Sequence, residues 1–158
     1  MSQRATAGRP PVWRYDTRET PARELYLLIQ HVAGVQIQEL GALLRPFAIT
    51  PEQFHVLRVL GEAGETGLTC SAVAERSVSG DPDVTRLLDR LEKQGWVSRS
   101  RDPSDRRVVI ARITAEGEAL LETLDGPVSR LHARQFASMP RGDRAALRRL
   151  LHSLARAG

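Results

Sequence analysis

The 158-residue sequence predicts a mainly α-helical fold with a small β-wing. Three observations carry this. Hydrophobic residues make up 41% of the chain and aromatics only 4%, so the core is aliphatic, which suits packed helices. Apolar residues recur at three- and four-residue spacing in successive segments, the period of a buried helix face. One stretch after Gly95 instead alternates, on both sides of a loop of Arg and Asp.

Residues 1–20 read as an arm. They hold Gly8, Pro10, Pro11 and several Arg with little periodicity, and only Trp13 and Tyr15 are suited to tack the arm down. A long amphipathic helix is expected from Pro21 to about Phe47, with Thr20 as N-cap and Pro21 in the first turn. Leu25, Leu28, Ile29, Val32, Leu40, Leu43, Leu44 and Phe47 form its stripe, broken by Gln36. Pro46 and the following Ile49-Thr50-Pro51 mark its end.

Thr50 caps the next helix, with Gln53 at the capping-box position, and the helix carries Phe54, Leu57 and Leu60 until Gly61 and Gly64 stop it. Thr69 caps a short helix whose inner face is Ala72, Val73 and the stem of Arg76. Ser79-Gly80 is a turn. Asp81 and Pro82 then supply an N-cap and a first-turn proline, opening a helix buried on Val84, Leu87, Leu88 and Leu91 and ended by Gly95. Residues 96–99 and 107–113 are strand-like, with turn chemistry at Asp102-Pro103-Ser104-Asp105 between them. Thr114 caps a further helix on Leu120, Leu121, Leu124, Val128, Leu131 and Phe136. Gly126-Pro127 should kink rather than end it, because the apolar spacing continues. A last helix runs from about Arg141 to Arg156 on Leu147, Leu150, Leu151 and Leu154.

A short helix, a turn, a second helix and a two-strand projection make up a winged helix-turn-helix, with the remaining helices as a second lobe. The organisation expected is an arm over 1–20, a winged helix-turn-helix lobe over 49–113, and a dimerisation lobe of 21–48 with 114–158. On the second helix, burial of the apolar stripe leaves Asp83, Thr85, Arg86, Asp89, Arg90 and Lys93 outside. A recognition helix presents its N-terminal residues to base edges, where Arg takes guanine O6 and N7 together and Asp accepts from cytosine N4. Asp83 either reads a base or favours the positive end of the helix dipole as a cap. Taken alone, such a helix reads better as a solvated surface; the turn before it and the Arg loop after it reverse that preference. At the wing tip, Arg101, Asp105, Arg106 and Arg107 suit a narrow minor groove, or pair among themselves.

Charge follows the same division. Residues 24–75 carry six acids and two bases, whereas Trp96–Arg112 carries five Arg against two Asp and Val128–Gly158 seven Arg against one Asp. The formal net charge is +4, which favours an acidic partner without naming one. Lys93 is the only lysine, which fits phosphate and guanine recognition or a codon bias equally.

The stretches VTRLLDRLEKQGWVSR and DPSDRRVVIARITAEGEAL resemble the MarR family of bacterial transcription regulators. The resemblance extends from about residue 21 onward. It lies in the recognition helix, in the Gly-hydrophobic-Val-x-Arg exit, and in the wing pair Asp105 and Arg107 running into Ile113, Thr114 and Gly117. It implies an obligate homodimer built on the first and last two helices, reading a pseudo-palindromic duplex DNA operator. It also implies a small-molecule effector, aromatic or phenolic in many relatives, in a cleft between the lobes that His31, His55 and Trp13 would border. The expected function is therefore a sequence-specific DNA-binding regulator, a repressor released by its ligand.

Two other readings stand beside it. Peroxide-sensing relatives use a cysteine in the first helix; this chain has none there, and its single cysteine, Cys70, starts the third helix and reads as structural, with a redox role as the alternative. A winged helix can also serve protein contacts. No phosphate loop, paired carboxylates, nucleophile–base pair or metal-ligand spacing is recognisable, so neither an enzyme nor a cofactor or metal is expected. No window looks long enough to span a bilayer, and a cytoplasmic protein with no membrane partner is the expectation.

Overall fold

The computed structural model describes residues 21–77 and 83–156. The arm with Trp13, Tyr15 and Thr20, the Ser79-Gly80 turn and the Asp81-Pro82 helix start lie outside the described residues. In order the elements are α1 (Pro21–Leu44), α2 (Pro51–Ala63), β1 (Leu68–Thr69), α3 (Cys70–Arg76), α4 (Val84–Lys93), β2 (Val97–Arg101), β3 (Val109–Ile113), α5 (Ala115–Gln135) and α6 (Arg141–Ala155). The described chain divides within α1, between Val35 and Gln36, into two units.

In the first unit, α1 leaves Leu25, Tyr26, Leu28, Ile29, Val32 and Val35 exposed. The helix ends at Leu44 rather than Phe47, and Arg45–Phe47 tighten into a 3-10 turn around Pro46. Pro21–Phe47 is long and apolar enough to cross a membrane by length and composition. This corrects the expectation that no window is: Leu27, Ala33, Val35 and Ile37 add apolar bulk beside the stripe. Gln30, His31, Gln36, Gln38 and Glu39 interrupt the run, and each is costly in hydrocarbon.

The second unit has an aliphatic core. Leu44, Leu57, Leu60, Leu88, Leu91, Leu124, Leu131, Val56 and Val73 are its largest fully buried side chains. Local chemistry starts α2, α3 and α5 as expected. Thr50 Oγ1 accepts from Gln53 N–H at 3.2 Å and Gln53 Oε1 from Thr50 N–H at 3.0 Å, a complete capping box. Thr69 and Thr114 cap α3 and α5 through the N–H groups of Ala72 and Gly117. α5 runs unbroken through Pro127.

Three expectations are corrected. Gly61 lies inside α2, and Gly64 at φ 58° caps it; a Cβ on Gly61 would come within 3.0 Å of Leu121, so the glycine lets α2 and α5 approach. Arg76 is exposed, and Ala74 packs against the core in its place. The sheet has three strands, not two, in the order β1-β3-β2; β1 pairs Leu68 with Ala111 and Thr69 with Ile110. β2 runs antiparallel to β3 from Val97↔Ile113 to Arg101↔Val109, so the strands begin and end within two residues of the expected limits.

Candidate nucleic-acid interface

The stripe of Val84, Leu87, Leu88 and Leu91 is buried, which rotates the opposite side of α4 outward. Thr85, Arg86 and Arg90 are exposed there, as the sequence indicates. The helix begins at Val84, two residues after the expected Pro82. Asp83 occupies the N-cap position, yet its side chain makes no cap hydrogen bond. Instead its Oδ2 lies 3.1 Å from Arg86 Nη1. Asp83 thus stands where its charge favours the positive end of the helix dipole, but its carboxylate turns to a charged partner instead of making the cap hydrogen bond.

The loop between β2 and β3 is built by its own side chains. Asp102 Oδ1 accepts from the Ser104 N–H at 2.7 Å and its hydroxyl at 2.5 Å. These two bonds, the hydroxyl first, hold the Asp102 carboxyl below its ordinary pKa of 3.8. Asp105 Oδ1 accepts from the Arg107 N–H at 2.9 Å, so the wing pair meets through backbone rather than as an ion pair. Arg101 Nη1 donates to the Arg106 carbonyl at 2.8 Å. All three side chains, of Arg101, Arg106 and Arg107, are exposed, but Arg101 also braces the loop. Arg112 on β3 reaches the Glu65 carbonyl and Ser100 Oγ, each at 2.8 Å, fixing the hairpin's base.

Sequence reasoning missed one group. Arg99 on β2 contacts Asp89 at 2.6 Å and Glu92 at 2.7 Å, both on α4. Its guanidinium is held above its ordinary pKa, chiefly by the Glu92 hydrogen bond. The available signal was the i,i+3 spacing of Asp89 and Glu92, with an Arg soon after the helix. Of the residues tied to other readings, Cys70 is half-buried against the core. His55 Nε2 lies 3.4 Å from the Arg76 carbonyl. Among the described residues no group of His, Cys, Asp or Glu could hold a metal ion.

The stretch that carries this surface has recognisable relatives. The MarR family profile matches residues 49–109. An HTH-type transcriptional regulator of Bacillus subtilis, YsmB, is 34% identical over 94 residues, covering 60% of this chain; the chain spans 63% of that relative's length. An HTH-type transcriptional repressor of Mycobacterium bovis is 28% identical over 127 residues, covering 80% of this chain and 90% of its own. The crystal structure of a cysteine-to-serine mutant of MarR from Escherichia coli, complexed with operator DNA, superposes with a TM-score of 0.76. It is 32% identical, over 83% of this chain and 93% of that one.

Proposed function

This chain belongs to the MarR family of transcription regulators, and from that premise we propose that it is a homodimeric repressor that reads a pseudo-palindromic duplex operator and is released by a small molecule. The observation that carries the reading is the exposure of Arg86 and Arg90 on α4 and of Arg106 and Arg107 on the hairpin that follows it. A major-groove helix and a minor-groove projection need those positions charged and uncovered. The similarity to an operator-bound protein favours duplex DNA over a protein-contact role for the wing. The resemblance to a mycobacterial repressor favours repression over activation.

Homodimerisation is supported by apolar surface. α6 has no buried residue, and Leu150, Leu151 and Leu154 are 62%, 45% and 59% exposed. On α1, an interface with a second copy accounts for the apolar stripe better than a bilayer does, because its Gln and Glu positions break the run. The two α4 helices of a dimer would then read half-sites about one helical turn apart. For the effector, the supporting feature is a groove of about 370 Å³ between α2 and α5, floored by Phe54, Leu121 and Val128.

Selection of genomic fragments bound by the purified protein tests the proposal. The expected result is a small set of fragments sharing an inverted repeat, bound with steep salt dependence. Equal retention of random duplexes, or none, would exclude it. The genes beside the selected fragments would supply candidate effectors for release assays.

A further inference from the structure

β2 is an edge strand: among the described residues it pairs with β3 on one side and with no strand on the other. Its outward backbone would be left unpaired, the usual liability of an edge. At Arg99 that does not happen. The Arg99 N–H donates to Glu92 Oε1 at 3.1 Å. The side chain of the same residue then returns to Glu92, with Nε and Nη2 on Oε2 at 2.9 and 2.7 Å. Nη2 also meets Asp89 Oδ1 at 2.6 Å. Glu92 thus grips one residue of β2 by both backbone and side chain, and Asp89, one helical turn earlier, holds it from a second point. Arg99 is 24% exposed, against 38% for Glu92 and 44% for Asp89, so these bonds are partly sheltered from the screening that weakens fully exposed ion pairs.

The position matters as much as the bonds. Val97 anchors the start of β2 in the core, whereas Ser98, Ser100 and Arg101 are exposed. Arg99 is therefore where the projecting part of the hairpin is tied sideways to α4.

We propose that Arg99, Glu92 and Asp89 form a brace that sets the wing against the recognition helix, so that both grooves are read as one rigid unit by residues that do not themselves touch DNA. This rests on the DNA-binding reading above. Arg99 is a positioning residue, and Glu92 fixes its direction. Charge alone makes the opposite prediction: Glu92 is an acid beside a polyanion's binding surface, so neutralising it should tighten binding.

The test uses the full chain, its selected DNA and dimethyl sulfate, which methylates guanine N7 in the major groove and adenine N3 in the minor groove. In Glu92→Gln and in Arg99→Gln, guanine protection should persist, adenine protection at the wing should be lost, and affinity should fall by about tenfold or more. Glu92→Gln binding as tightly as wild type or tighter, with adenine protection intact, would overturn the brace. So would equal loss in both grooves at unchanged helicity. Should wild type protect no DNA at all, the DNA reading fails, and the brace is judged in the free protein. There the Arg99 amide should exchange faster in Glu92→Ala, which removes the acceptor, while the α4 amides do not; unchanged exchange at Arg99 would refute it.

Discussion

Asp83 Oδ2 and Arg86 Nη1 lie 3.1 Å apart at the first turn of α4, so the carboxylate and the guanidinium expected to meet bases hold one another in the free protein. The pair is largely solvated, with Arg86 76% exposed, so DNA can compete for the guanidinium at little cost. Arg86→Ala should relax preference at one base pair by about 1–3 kcal/mol. Asp83→Ala should strengthen binding to all sequences, because it removes an acid from a surface facing phosphates. Gel shifts on matched and mutated operators separate the two. Weakened, sequence-selective binding in Asp83→Ala would instead make Asp83 a base reader.

What could be read in advance follows a physical line. Caps and stripes are local, and those at Thr50 with Gln53, Thr69, Thr114 and the buried face of α4 are where the sequence puts them. β1 escaped because Leu68-Thr69 is too short to show a period; it exists only because β3 supplies its partner. The Arg99 brace escaped for the same reason, since it joins a helix to a strand through an edge that the sequence alone does not define. Gly61 looks like a helix stop until the nearness of Leu121 shows why a small residue is needed inside α2. The charge of the wing was legible, but not its division between Arg101, tied to the Arg106 carbonyl, and Arg106 and Arg107, whose side chains make no such bond among the described residues.

That division gives the second prediction. Arg106→Ala and Arg107→Ala should each weaken binding evenly across sequences and lower the salt slope by about one. Titrations at several salt concentrations measure it. A loss confined to one operator sequence would show base readout at the wing instead.

The third concerns assembly. Leu150, Leu151 and Leu154 share one face of α6 and are exposed in the single chain. Burying such a side chain contributes about 1.5–3 kcal/mol, and a dimer would bury the set from both copies. Light scattering of wild type should give twice the chain mass. Leu150→Glu with Leu154→Glu should give monomers that keep α4 folded but lose operator affinity. Dimers in the double variant would place the interface elsewhere.

The fourth concerns pH. Because the Ser104 bonds lower the Asp102 pKa in the folded chain, the order they lend the wing is complete above 3.8 and is lost only as pH falls through the lower folded value. The loop should therefore be unchanged from neutral pH to the ordinary carboxylate range. An NMR titration of the Asp102 carboxyl should show a midpoint below 3.8, moving up towards it in Ser104→Ala. A wild-type midpoint at or above 3.8 would contradict the hydrogen-bonded loop.

The last prediction decides between ligand and oxidant as the releasing signal. Cys70 is the first residue of α3, half-buried against the core, and it is the only cysteine in the chain. Oxidation to a sulfenic acid is normally made useful by a second thiol that resolves it, and none exists within one copy. Cys70→Ser should therefore leave operator binding unchanged, before and after peroxide. Non-reducing gels of peroxide-treated wild type should show no disulfide-linked dimer. Peroxide-induced release by wild type that disappears in Cys70→Ser would replace the ligand-released repressor with a redox sensor.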